Sequence, residues 1–232
     1  MWRRDSSGIR SFPNGTFLSN RYHPDGHFWK WPNVLDFMYY WNVNFRNLIP
    51  LPDEFKLLLK HRWLRIHTFG VYQRYPRTEG DIAQLLERQN TVITDLCKSG
   101  TTFLVLVSGG DKEGDISSFS DFENVVDLSK FKFISNFPLH HLRPDEYEGA
   151  VDETHFTYWA FEELSWEWGI LDNLLIEVSH DRLHYCFLLN TDNNCLIYPY
   201  DGGMDIIFPD TNFKNDYIIK YSSWISKLPT GL

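Results

Sequence analysis

The sequence predicts an α/β (α+β) fold, with a mixed, largely antiparallel sheet and flanking helices forming one domain behind an aromatic-rich N-terminal segment. Three observations predict it. From Thr78 to Lys98, apolar residues recur at three- and four-residue intervals behind a capping residue, the signature of an amphipathic helix. Phe103 to Val107 is an unbroken apolar run between Thr101-Thr102 and Ser108-Gly109-Gly110, the pattern of a central strand covered on both faces. Tyr185 to Leu189 and Cys195 to Tyr198 are apolar runs joined by Asn190-Thr191-Asp192-Asn193-Asn194, a hairpin by pattern and by turn chemistry.

In chain order, residues 1–48 read as an irregular extension. Pro13-Asn14-Gly15, Pro24-Asp25-Gly26 and Trp31-Pro32-Asn33 each mark a turn. Between and after them stand Phe28, Trp29, Trp31, Phe37, Tyr39, Tyr40 and Trp41, too aromatic for a solvated tail, so the segment packs on the body or on a partner. Residues 49–232 form the α/β domain. It opens with a short helix at Leu51-Pro52-Asp53-Glu54, acidic at its positive end, with Phe55, Leu58 and Leu59 on one face. Trp63 to Phe69 alternates as a strand. Thr78 caps the long helix, with Glu79 and Asp81 in its first turn and Ile82, Leu85, Leu86, Val92, Ile93 and Leu96 on its apolar face.

Beyond the Phe103 strand, the chain to about Ser120 is a polar loop, and Phe131 to Ile134 is a short strand. His155 to Phe161 alternates as a strand; Glu162, Glu163 and Glu167 beside Trp159, Trp166 and Trp168 would suit the acid–base carboxylates of a carbohydrate cleft, but one helical turn with glutamates on the wet face is the favoured reading. Leu171 to Val178 has helical spacing. After the hairpin, Met204 to Phe208 is a strand, and residues 212–227 form a terminal helix carrying Tyr217, Ile218, Tyr221 and Trp224.

Composition narrows the class. Hydrophobic residues make up 43% of the 232, enough for a sizeable core. Aromatics reach 17%, so rings either replace Leu and Val inside or leave an exposed surplus suited to a partner. The net charge of −9 repels phosphate backbones, disfavours nucleic acid and suits a basic protein partner. Cys97, Cys186 and Cys195 contain no CxxC pair and read as buried thiols of a reducing compartment, even where Cys186 and Cys195 share a hairpin. There is no apolar run of membrane-spanning length, and the start, Met1-Trp2-Arg3-Arg4, lacks the apolar core of a secretory signal. A cytoplasmic location is therefore expected.

No residue pattern predicts catalysis. Asp201-Gly202-Gly203 is a tight turn whose glycines take the positive-φ positions; it matches neither a phosphate-binding loop nor a dinucleotide fingerprint. The histidine pairs His23/His27, His140/His141 and His180/His184 do not make a chelating set, so no metal and no cofactor are expected. Ser108-Gly109-Gly110 lacks the glycine before the serine of a nucleophile elbow.

Three blocks carry a resemblance. They are Arg65–Phe69 with Gln73–Arg77 and Glu87–Val92; Tyr198-Pro199-Tyr200-Asp201-Gly202-Gly203-Met204-Asp205-Ile206-Ile207; and Tyr221–Ser226 with the closing Pro229-Thr230-Gly231-Leu232. Together they resemble an uncharacterised bacterial domain family, over roughly Leu51 to Leu232. At the level of class, the chain is also similar to immunity proteins that neutralise toxins. That likeness implies a non-catalytic protein-binding module, with Trp29, Trp31, Tyr39, Trp41, Asp201 and Asp205 meeting a basic toxin domain. Two alternatives stand beside it: an enzyme or small-ligand protein using Asp201, Asp205 and nearby histidines, and a structural subunit of a larger assembly.

Overall fold

A computed structural model describes residues 34–45, 48, 50–70, 73–110, 113–138 and 156–225. The chain divides into two compact units, Met1–Leu48 and Ile49–Leu232. In the first, Val34–Asn44 is a helix (α1) where the sequence predicts irregular chain. Its residues Phe37, Met38, Tyr39, Tyr40 and Trp41 are apolar or aromatic all round, so no amphipathic period betrays the helix. Phe37 stacks near Trp41 at 6.4 Å, Trp41 meets Phe45 at 5.1 Å, and the Trp41 indole N–H donates to the Leu48 carbonyl over 3.1 Å.

The second unit is built on seven strands. They are β1 (Trp63–His67), β2 (Thr102–Gly110), β3 (Lys132–Pro138), β4 (Phe156–Leu164), β5 (Cys186–Asn190), β6 (Cys195–Tyr200) and β7 (Gly203–Ile207). Their order is β1-β7-β6-β5-β2-β4-β3, and every described pairing is antiparallel, so the expected mixed sheet is antiparallel throughout these strands. β2 sits between β5 and β4, buried from Thr102 to Val107, as its unbroken apolar run predicts. The helices are α2 (Pro52–Leu58), α3 (Glu79–Cys97), α4 (Asp172–Ser179) and α5 (Thr211–Lys220).

Register assigns the two faces, because cross-strand partners share one. Leu64, Ile66, Met204, Ile206, Ile197, Leu188, Leu104, Leu106 and Ala160 form one face. They share a core with Leu85, Val92, Ile93 and Leu96 of α3 and Leu174, Leu175 and Val178 of α4. Each such side chain, fully buried, contributes roughly 1.5–3 kcal/mol. The other face is aromatic. Phe103 meets Phe161 edge-on at 5.5 Å, and Phe55 of α2 meets Phe187 edge-on at 5.2 Å. Leu58, expected beside Phe55, is instead exposed, because α2 ends there after two turns.

Helix α3 carries its predicted cap. Thr78 Oγ1 accepts from the Asp81 amide, and Asp81 accepts in return from the Thr78 amide at 3.0 Å. Its far end is fastened to the β5–β6 turn: Asn190 donates to the Ser99 carbonyl at 2.9 Å and Asn193 to the Leu96 carbonyl at 2.6 Å. The polar segment before Ser120 folds into a 3₁₀ turn, Ile116–Phe122, which buries Phe119 and Phe122. The glutamates form no helical turn: Glu162 and Glu163 are consecutive residues of β4 and point to opposite faces of the sheet. The terminal helix closes at Lys220, leaving Tyr221 and Trp224 in the turns that follow. No helix among the described residues is long and apolar enough to cross a membrane.

Candidate functional site

Of the residues singled out by the sequence, Asp201 and Asp205 lie at or near one rim of the sheet. β1 ends there, β5 begins there, and β6 turns into β7 there. Tyr200 pairs with Gly203, so Asp201-Gly202 is a two-residue hairpin turn, with the Gly202 carbonyl accepting from the Thr68 amide at 3.0 Å. The glycines have a different purpose from the one predicted. Neither Gly202 nor Gly203 has a positive φ; among the described glycines, Gly100 and Gly169 do. A Cβ on Gly203 would lie 2.0 Å from the Ile66 carbonyl oxygen and 3.1 Å from the His67 Cα. Gly203 is required because the backbone of β1 passes against it.

The two aspartates are both buried and both committed to arginines. Asp205 faces Arg65 in register. The Arg65 Nε donates to Oδ1 at 2.7 Å and Nη2 to Oδ2 at 2.8 Å, a bidentate pair. The guanidinium also lies 4.6 Å from the Tyr200 ring and 5.5 Å from the Trp63 ring. Burial pulls the Arg65 pKa down, but the Asp205 hydrogen bonds and nearby negative charge outweigh it, and the net shift is upward. Asp201 forms an ion pair with the more exposed Arg74, whose pKa is raised chiefly by that carboxylate. Burial pushes the phenols of Tyr198 and Tyr200 well up.

The neighbouring loop, His180 to Tyr185, is conformationally unusual. Asp181 and Tyr185 both hold left-handed backbone, at φ 61° and 55°. Such a conformation is rare for an aromatic residue and persists only where surroundings fix it. Here the Tyr185 carbonyl accepts from the Val107 amide at 2.8 Å, and the Arg182 amide donates to the Glu177 carbonyl at 3.0 Å. Asp181 lies 3.5 Å from His184 Nδ1, and its charge reaches Arg74 and Tyr75 across the rim. The outcome is a surface on which Tyr75 and Tyr185 stand outward, 38% and 41% exposed, over a framework of two Asp–Arg pairs.

Asp201 and Asp205 are each paired with a different arginine, Arg74 and Arg65. Cys97, Cys186 and Cys195 are free and buried; burial pushes the Cys97 and Cys186 thiols up to about 12, the opposite of an activated nucleophile. Cys186 does not face Cys195, whose register partner is Asn190. Among the described residues, no group of three or more His, Cys, Asp or Glu side chains is placed to hold a metal ion. His180 is engaged with the Ile176 carbonyl at 2.9 Å while His184 turns to Asp181, so this spaced pair does not converge. Burial raises the Glu162 pKa.

Of the other residues marked for a partner, Tyr39 is half exposed and Trp41 is 2% exposed, both within the N-terminal unit. Trp29 and Trp31 lie outside the described residues, as do His23, His27, His140, His141 and the closing Pro229 to Leu232. Sequence reasoning missed Arg65, Arg74, Tyr75 and Tyr185 as site residues. For Arg65 one signal was present: a charged residue at an alternating position of an otherwise apolar strand needs a buried partner.

A family model described as Domain of unknown function (DUF3885) matches residues 51–229. No curated protein and no solved structure matches the chain.

Proposed function

The chain belongs to that DUF3885 family over residues 51–229, and on that premise we propose that it is a non-catalytic protein-binding module of the immunity type, which neutralises a basic toxin domain by direct contact. One observation carries the reading: both conspicuous carboxylates are locked in ion pairs with arginines while Tyr75 and Tyr185 remain outward beside them. Tyrosine and arginine are the residue types that anchor interfaces, and anchors fixed before contact lose little entropy on binding. The net charge of −9 steers a basic partner toward the surface. Location in the cytoplasm, where such a partner would be met, belongs to the same proposal.

Co-expression with the products of neighbouring genes tests it. The expected result is a toxic neighbour rescued by this chain, and rescue lost on Tyr75→Ala with Tyr185→Ala at unchanged melting temperature. If no neighbour is toxic, or none is rescued, the immunity reading is wrong.

A further inference from the structure

The two aspartate–arginine pairs at the rim are not alike. Arg65 and Asp205 are both largely shielded from water, and two directed hydrogen bonds, at 2.7 and 2.8 Å, join them. The Asp201 side chain is as deeply buried, at 6% exposed, but that of its arginine, Arg74, is 68% exposed. Arg74 lies against Asp201 Oδ2 as an ion pair, yet that oxygen is buried and accepts no directed hydrogen bond. A carboxylate oxygen stripped of water by burial needs such a bond. The Asp205 pair is complete within the chain, and the Asp201 pair is not.

The position that Arg74 occupies suits a guanidinium in particular. It lies 5.5 Å from the Tyr75 ring, and the negative charge of Asp181 reaches it. A planar guanidinium stacks on such a ring while aiming its N–H fork at a carboxylate; a lysine ammonium has no fork. Resting on the binding-module reading above, we infer that the Asp201 carboxylate receives an arginine side chain of the protein partner, which takes the place that Arg74 holds in the free chain. An exposed arginine gains little from its ion pair, so Arg74 returns to water at small cost. The incoming arginine supplies the directed hydrogen bond that Oδ2 lacks. Until then, Arg74 keeps Asp201 from standing as an unpaired buried charge.

The probe is the peptide acetyl-Gly-Arg-Gly-amide, titrated against the full isotope-labelled chain. Binding is followed by NMR at the Gly202 amide and at the Arg74 and Arg65 side-chain Nε–H groups. Saturable shifts at Gly202 and Arg74, with Arg65 unmoved, are expected, and the lysine counterpart should bind at least about three-fold more weakly. Arg74→Ala removes the competitor and should tighten peptide binding about three- to five-fold, the equivalent of one exposed ion pair. Asp201→Asn should weaken it about ten-fold or more. A purely structural Arg74 predicts the opposite: Arg74→Ala would bind the peptide no better than the parent chain. That result, or no saturable binding by Arg74→Ala up to about 10 mM peptide, overturns the exchange. In the co-expression assay, rescue kept by Asp201→Asn but lost by Tyr75→Ala with Tyr185→Ala also overturns it, and leaves the binding-module reading standing. If no neighbour is toxic, the immunity reading falls and the peptide titration still decides the exchange.

Discussion

Asp205→Asn is the most informative single change. Arg65 and Asp205 have side chains 13% and 6% exposed, so water can do little to replace either partner. The amide keeps one acceptor for the guanidinium but removes the negative charge, leaving a cation buried between Tyr200 and Trp63. Breaking one side of a buried ion pair costs about 3–5 kcal/mol. Because the asparagine retains a hydrogen bond, the lower end, about 3 kcal/mol, is expected. For a chain of this size, that lowers the melting temperature by roughly 6–12 °C. Urea denaturation followed by tryptophan fluorescence reads the loss as a lower midpoint at constant slope. Arg65→Met completes a double-mutant cycle. The double variant should lose less than the sum of the singles, by about 2 kcal/mol, because each single change strands the other charge. A loss below about 1 kcal/mol for Asp205→Asn, or strict additivity in the cycle, would show that the pair is not what fastens β1 to β7.

Two further outcomes follow from the same region and from the core. Gly203→Ala should destabilise sharply, since the added Cβ meets the Ile66 carbonyl at 2.0 Å and a strand must move, whereas Gly202→Ala meets only the Tyr200 ring edge at 3.1 Å and should cost under about 1 kcal/mol; similar melting temperatures for the two would refute the close-approach account. The Cys97 and Cys186 thiols, raised to about 12, should resist iodoacetamide near neutral pH in the native protein and react on denaturation. Their linkage has a definite sign. The folded chain keeps protons that the unfolded chain releases above about 8.5, so this contribution to stability falls as pH rises past that value. Rapid native labelling, or stability rising through that range, would contradict it.

The elements that were legible in the sequence are those fixed by local chemistry. Thr78 and Asp81 announce α3 because a capping box needs only three residues of spacing, and the asparagine-rich turn announces the β5–β6 hairpin. β4 runs to Leu164, beyond the predicted strand, because its partner β2 extends that far; Thr102 pairs with Leu164, and a ladder between segments sixty residues apart decides where Glu162 and Glu163 point. The site was half legible. Asp201 and Asp205 stand out within their turn, but their meaning lies in Arg74 and Arg65, and Arg65 is 140 residues from Asp205. The left-handed backbone of Asp181 and Tyr185 leaves no compositional trace, since neither is a glycine.

The strand order also bears on how the chain is made. β1 is the first described strand to emerge, yet its described strand neighbour, β7, is the last. Through that interval Trp63-Leu64 and Ile66 form a short sticky segment with no ladder to join. Arg62 and Arg65 punctuate it with positive charge, the kind of residue that keeps a nascent strand from pairing with its counterpart on another chain. Arg65 thus stands where a charge of the gatekeeper kind is placed in a strand, and the same side chain joins β1 to β7 through Asp205.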